Sequence, residues 1–171
     1  MRRIKIVAAF SMLLLALSAS AALAANPHIV TGFPEPGCTV NELTLAVTCT
    51  STQIAGVGNF NAVATLTVLY SGTVDCNNPG NNPNNPIEAH ETTFSVTTST
   101  PIVEPKNGRL VIPALSAGPR GLTAEEEATL CPNPNWDAVL RDVTLASFTY
   151  TINFVDAEGN VIENFFTQTG P

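Results

Sequence analysis

The stretch Phe60-Asn61-Ala62-Val63-Ala64-Thr65-Leu66-Thr67-Val68-Leu69-Tyr70 decides the fold class. Phe60, Ala62, Ala64, Leu66, Val68 and Tyr70 recur at every second position, and an extended backbone that alternates its side chains puts all six on one face. Asn61, Thr65 and Thr67 stand between them, with Val63 and Leu69 as apolar exceptions. The pattern is that of a strand with one buried face, long enough to bend, starting after Gly56 and Gly58 break the chain.

The same period extends outward. Leu43, Leu45, Val47 and Cys49 alternate with Thr44, Ala46 and Thr48, which predicts a strand over Glu42 to Cys49 with Cys49 inward. Residues 26–38, with three prolines and two glycines, read as an irregular lead or an edge segment. Glu88 to Thr98 predicts a strand with Phe94 and Val96 inward. Lys106-Asn107-Gly108 is a hairpin signal, and Arg109 to Pro113 is a short strand with Leu110 and Ile112 on one face. Near the C-terminus, Val143 and Leu145 are followed by Phe148, Tyr150, Ile152 and Phe154. The phase changes between Leu145 and Phe148, as a bulge produces. Asp156 to Asn160 supplies a loop with Gly159, and Val161 to Thr167 returns as the partner strand.

One segment departs from this period. Thr123 with Glu126 three residues later is a capping box, and Glu125 to Glu127 suit the positive end of a helix dipole, so a short helix is expected from Thr123 to Leu130. Pro132 and Pro134 end it. About seven strands and one short helix describe an all-β chain, an immunoglobulin-like two-sheet antiparallel sandwich.

Arg2, Arg3 and Lys5, the apolar run Ile6 to Leu17, and Ala22-Leu23-Ala24 together have the form of an export signal over residues 1–24, leaving residues 25–171 as a single domain. The apolar run is shorter than the ~20 residues of a spanning helix, so no transmembrane anchor is expected in the mature chain. A secreted or periplasmic location makes Cys38, Cys49, Cys76 and Cys131 a disulfide framework. Four cysteines admit three pairings that sequence does not separate; Cys38 with Cys49 and Cys76 with Cys131 is the favoured one.

Beyond the signal, Lys106, Arg109, Arg120 and Arg141 face fourteen carboxylates, so four positive charges against fourteen negative give a formal charge of −10. Four scattered cations cannot build a phosphate-binding stripe, which excludes nucleic acid as a partner. Chemistry is sparse. His28 sits at the expected new N-terminus. Glu88 and His90 share a strand face, but Thr93 and Phe94 stand where an HExxH motif needs its second histidine, and solvated strand residues are the plainer reading. Neither a GxSxG elbow nor a phosphate-cradling glycine loop occurs. Adjacent Glu125, Glu126 and Glu127 fan around a helix axis, and capping already explains them. Asp75, Asn77, Asn78 and Asp137 could offer oxygens to calcium, without the DxDxDG spacing that such a loop uses. The sequence therefore implies no catalytic residue, metal or cofactor.

Lys106-Asn107-Gly108-Arg109-Leu110 and Cys131-Pro132-Asn133-Pro134-Asn135-Trp136, behind a signal peptide, resemble a group of small exported bacterial proteins with no assigned activity. The resemblance covers the latter half of the chain and implies a β-rich extracellular domain without an active site to carry over. Chaperone-assembled pilins are also disulfide-bearing exported sandwiches, but their distinctive terminal donor strand is not apparent in this C-terminal hairpin. The expectation is a monomeric, secreted, non-catalytic binding or structural module for an unknown protein or glycan. The Asn/Pro loop of residues 77–86 and the Cys131 to Trp136 loop are its exposed faces, and Asn77, Asn78, Asn133, Asn135 and Trp136 are the candidate contacts. An envelope-associated assembly subunit, with the lead from Asn26 to Gly37 as exchanged segment, is the alternative. A hydrolase assembled from distant strands is a third.

Overall fold

A computed structural model describes residues 26–78, 80 and 88–171. The expected signal peptide and most of the Asn/Pro loop lie outside the described residues. Among the described residues ten strands and one helix follow in chain order: β1 His28–Ile29, β2 Cys38–Val40, β3 Val47–Cys49, β4 Thr52–Ala55, β5 Asn61–Asn77, β6 Glu88–Ser99, β7 Arg109–Ile112, β8 Leu115–Ala117, α1 Ala124–Leu130, β9 Asp137–Val155 and β10 Val161–Gly170. One layer is a four-stranded sheet in the order β10-β9-β5-β6. The other is divided into β1-β4-β7 and β2-β3-β8, and every pairing is antiparallel.

The alternation expected of residues 60–70 is present: Ala62, Ala64, Leu66, Val68 and Tyr70 are fully buried. They meet Val47, Cys49, Ile54, Leu110, Ile112, Leu115 and Ala117 of the facing layer in one core, which makes the fold an all-β two-sheet sandwich. The strand over Glu42 to Cys49 needs correction. Only Val47–Cys49 is extended, and Leu43 stands 96% exposed. The cause is Asn41, whose Oδ1 accepts from the amides of Leu43 and Thr44 while its carbonyl accepts from Leu45. That turn chemistry outcompetes a strand register, and Leu45 completes it at φ +57°. The irregular lead, for its part, contributes β1 as a short edge strand and ends at Cys38, where β2, a second short edge strand, begins.

The bulge expected between Leu145 and Phe148 is there: Ser147 pairs with Leu69 and Leu145 with Tyr70, leaving Ala146 without a partner position. A second irregularity follows, two residues of β9, Val143 and Asp142, against one of β5, Gly72, between Thr144 and Arg141, with Asp142 at φ +50°. Each extra residue inverts the phase of β9, so the pair restores it. Gly72 lies opposite the second bulge. A Cβ there would sit 3.0 Å from the Arg141 carbonyl, backbone that cannot readily give way.

Two side chains tie the layers together. Tyr70 Oη donates toward the carbonyls of Leu45 (3.0 Å) and Ala117 (3.4 Å). The Gln168 amide accepts from Cys38 N and donates to Cys38 O, clasping β2 to β10. Tyr150 is equally buried, yet its hydroxyl has no hydrogen-bond partner among the described residues, and burial raises its pKa to about 12.

The two tyrosines should respond oppositely to loss of the hydroxyl. Tyr70→Phe is expected to cost about 1 kcal/mol, because it removes a hydrogen bond to buried carbonyls. Tyr150→Phe is expected to be neutral or up to about 1 kcal/mol stabilising, because it deletes an unsatisfied group. Urea unfolding of both variants checks the pair, and equal destabilisation would contradict it.

Candidate functional site

The inner face of β5 continues past Tyr70 to Val74 and Cys76, which form a second small core with Cys131. Leu122, Leu130, Trp136, Ala138 and Leu140 pack against it. Two disulfides are present in the pairing the sequence favoured. Cys38–Cys49 joins directly opposed residues of β2 and β3, and Cys76–Cys131 fastens the end of β5 to the residue after α1, with Cα atoms 5.7 Å apart. Two such bonds belong to an oxidising, non-cytosolic compartment. No helix among the described residues is long and apolar enough to cross a membrane.

The capping box is formed as expected, with Thr123 at the N-cap. The Glu126 carboxylate accepts from Thr123 N (2.7 Å) and Thr123 Oγ1 (2.9 Å), and is held by both terminal nitrogens of Arg120 at 2.7 and 2.8 Å. The Arg120 guanidinium lies 5.2 Å from the centroid of Phe94, whose ring stacks on Tyr70. The arginine, with the backbone amide second, holds the Glu126 carboxyl at about 2. A bidentate ion pair on an aromatic face thus fixes the helix to β6.

With α1 placed this way, a cleft of about 460 Å³ opens between the helix and the start of β9. Ala124, Glu127 and Ala128, one face of the helix at i, i+3 and i+4, form one wall. Pro134, Trp136, Asp137 and Ala138 form the other. Trp136, the only tryptophan of the chain, is half-buried, with its backbone amide bonded to Asn133 O at 3.0 Å.

The asparagine candidates disperse around this cleft. Asn77 is only 8% exposed and pairs in register with Asp137; its Oδ1 has no partner among the described residues. Asn78 Oδ1 accepts from Gly80 N and Asn133 Oδ1 from Asn135 N, so both are occupied with their own turns. Asn135 is exposed. Asp75 is ion-paired with Arg141 at 2.7 Å. His90 lies opposite Val74, and His28 Nδ1 is 2.8 Å from Asn26 O. Among the described residues there is no group of three or more His, Cys, Asp or Glu that could hold a metal.

A second depression, of about 450 Å³, escaped the sequence reading. It lies at the second bulge and is lined by Ser71, Thr73, Thr93 and Thr144 with Glu91 and Asp142. Gly72 inside a strand pattern was its available signal, because such a glycine marks a bulge or close backbone approach.

No family model matches the chain, and neither the curated proteins nor the solved structures contain a significant match to it.

The Glu126 carboxyl sets a pH dependence. Its folded pKa, about 2, is below its ordinary 4.5, so its contribution to stability is complete above about 4.5 and lost as pH falls toward 2. Glu126→Gln should flatten the acid limb of the unfolding midpoint between pH 4.5 and 2. An unchanged limb would show that the helix anchor does not carry it.

Proposed function

We propose that the chain is an exported, non-catalytic binding module, secreted or periplasmic and monomeric, whose contact region is the end of the sandwich stapled by Cys76–Cys131. The observation that carries this reading is the cleft between α1 and β9, in which a half-buried Trp136 is presented by a disulfide-fixed loop. Tryptophan is among the side chains enriched at the energetic centres of protein contacts, and concave sites lined by aromatic and apolar groups are where ligands preferentially bind. The resemblance to small exported bacterial proteins carrying KNGRL and CPNPNW segments belongs to the same reading.

The immunoglobulin-like arrangement is part of it too, and the strand order supports it. Taking β1 with β2, β3 with β4 and β7 with β8 as three interrupted strands A, B and E, and β5, β6, β9 and β10 as C, C′, F and G, gives seven strands in the orders A-B-E and G-F-C-C′.

A second reading, an envelope-associated assembly subunit, is favoured by one observation. β6 is an edge strand of twelve residues paired with β5 without a register shift, whereas β10, the other edge, carries two shifts that blunt it. Such an edge can accept a further strand.

The test is binding of the fluorescently labelled mature protein to isolated envelope material of the producing cells. Trp136→Ala should weaken it about tenfold or more, with far-ultraviolet circular dichroism unchanged. Binding that is indifferent to Trp136→Ala overturns the module reading, and sedimentation to oligomers that a Ser95→Pro change in β6 dissolves would favour assembly.

A further inference from the structure

We infer that the Trp136 cleft receives a primary ammonium or guanidinium group, the side chain of a lysine or arginine on a polypeptide partner. This deepens the binding-module reading and rests on it.

The chemistry of the walls is one-sided. Glu127 and Asp137 contribute carboxylates, which only accept hydrogen bonds, Trp136 contributes an indole, and the remaining lining is Ala124, Ala128, Pro134 and Ala138. A neutral saccharide presents hydroxyls that both donate and accept, and apart from the indole N–H no side chain of this lining donates to them. An organic cation needs what is present, a π face with negative charge beside it. The small side chains leave room, so the space between the helix and the indole is not filled from within.

The protein's own cations do not neutralise this site. Arg120 is engaged by Glu126 and Arg141 by Asp75. Lys106 and Arg109 flank the turn into β7, close to Val103, which bridges to Ala62. Ala62 is fourteen positions before Cys76 on β5, roughly 45 Å along an extended strand. Among the described residues the two exposed carboxylates therefore stand without an internal counter-ion beside a half-buried indole, on a chain whose mature charge of −10 attracts cations from a distance. Lysine and arginine fit better than a quaternary ammonium, because their N–H groups can satisfy both carboxylates while the indole covers the carbon chain.

The single tryptophan makes the test direct. Hexapeptides of arginine or lysine, a hexapeptide of the neutral isostere citrulline, tetramethylammonium and chitotriose are titrated at constant ionic strength while Trp136 emission is read. The arginine and lysine peptides should give a saturable change, the citrulline peptide none, and the Glu127→Gln/Asp137→Asn double variant should bind about tenfold more weakly. Caesium should also quench Trp136 more efficiently than iodide, with the difference reduced in the double variant, whose thermal midpoint reports that it is folded. An equal response to the citrulline peptide, an unchanged affinity in the double variant, or no response to either cationic peptide overturns the inference. Saturation by chitotriose alone overturns it in favour of a glycan, and tighter binding of tetramethylammonium than of the peptides overturns it in favour of a quaternary ammonium. Any of these results combined with Trp136-dependent envelope binding sinks the cation assignment alone, whereas envelope binding indifferent to Trp136 sinks the module reading beneath it.

Discussion

The structure depends on a mismatch of length. β5 and β9 run for 17 and 19 residues, whereas no strand of the facing layer exceeds four. Even with β3 and β4 taken as one interrupted strand, the facing layer covers the inner face of β5 only as far as Tyr70. Val74, Cys76, Ala138 and Leu140 would otherwise meet water, at a cost of about 25 cal/mol for each Å² of apolar surface left exposed. Helix α1 and the Cys131 to Trp136 loop cover that surplus. The Cys76–Cys131 bond closes 55 residues of chain and stabilises by about 4 kcal/mol on the loop-entropy argument. The cleft is the residual space under a lid that exists to finish the core.

How the lid is held follows from the same mismatch. A seven-residue helix with no fully buried residue cannot hold its own conformation in water. Its capping box satisfies the first turn, and the Arg120–Glu126 pair turns the capping carboxylate outward into a second interaction. Because Arg120 lies on Phe94 and Phe94 stacks on Tyr70, the anchor ends in the main core and in the two carbonyls that Tyr70 holds across the layers. The position of Glu127, on the neighbouring face of the same helix, is thereby set by contacts that never touch the cleft.

Much of this was legible in the residues. Period-two alternation found β5, β6, β7 and the two long C-terminal strands, since their faces divide apolar from polar. The phase change at Leu145 located a bulge, and Thr123 with Glu126 located the helix to within a residue. Leu43 misled because alternation says nothing of a competing turn, and Asn41 builds one from its side chain. β8 was missed because Pro113 marks an end without excluding a restart at Leu115. The second bulge was hidden because it undoes the first: a reader of Val143 and Leu145 has no cue that Leu140 and Ala138 return to the original phase. Of the site, Trp136 and the presence of a disulfide framework were legible, since proline-bounded loops and an export context speak through composition, whereas the choice among three pairings was a preference that spacing alone did not decide. Glu127 and Asp137 were not seen as neighbours, because their proximity is made by tertiary packing of α1 on β9.

Charge completes the connection between scaffold and surface. Only four cations remain beyond residue 24, and the fold places Arg120 and Arg141 against carboxylates while Lys106 and Arg109 flank the turn into β7. Asp75, 9% exposed, depends on Arg141 for its counter-charge, so that arginine cannot be released to the surface without leaving a buried ion unpaired. Glu126 holds Arg120 through both terminal nitrogens. Stability thus consumes the positive charge nearest the lid, and the surface left over is negative by subtraction. A concave, indole-walled part of that surface takes more water from an approaching cation than a flat face does and offsets that cost with the π face beside the carboxylates, whereas charges on a flat face are screened beyond about 8 Å at physiological salt.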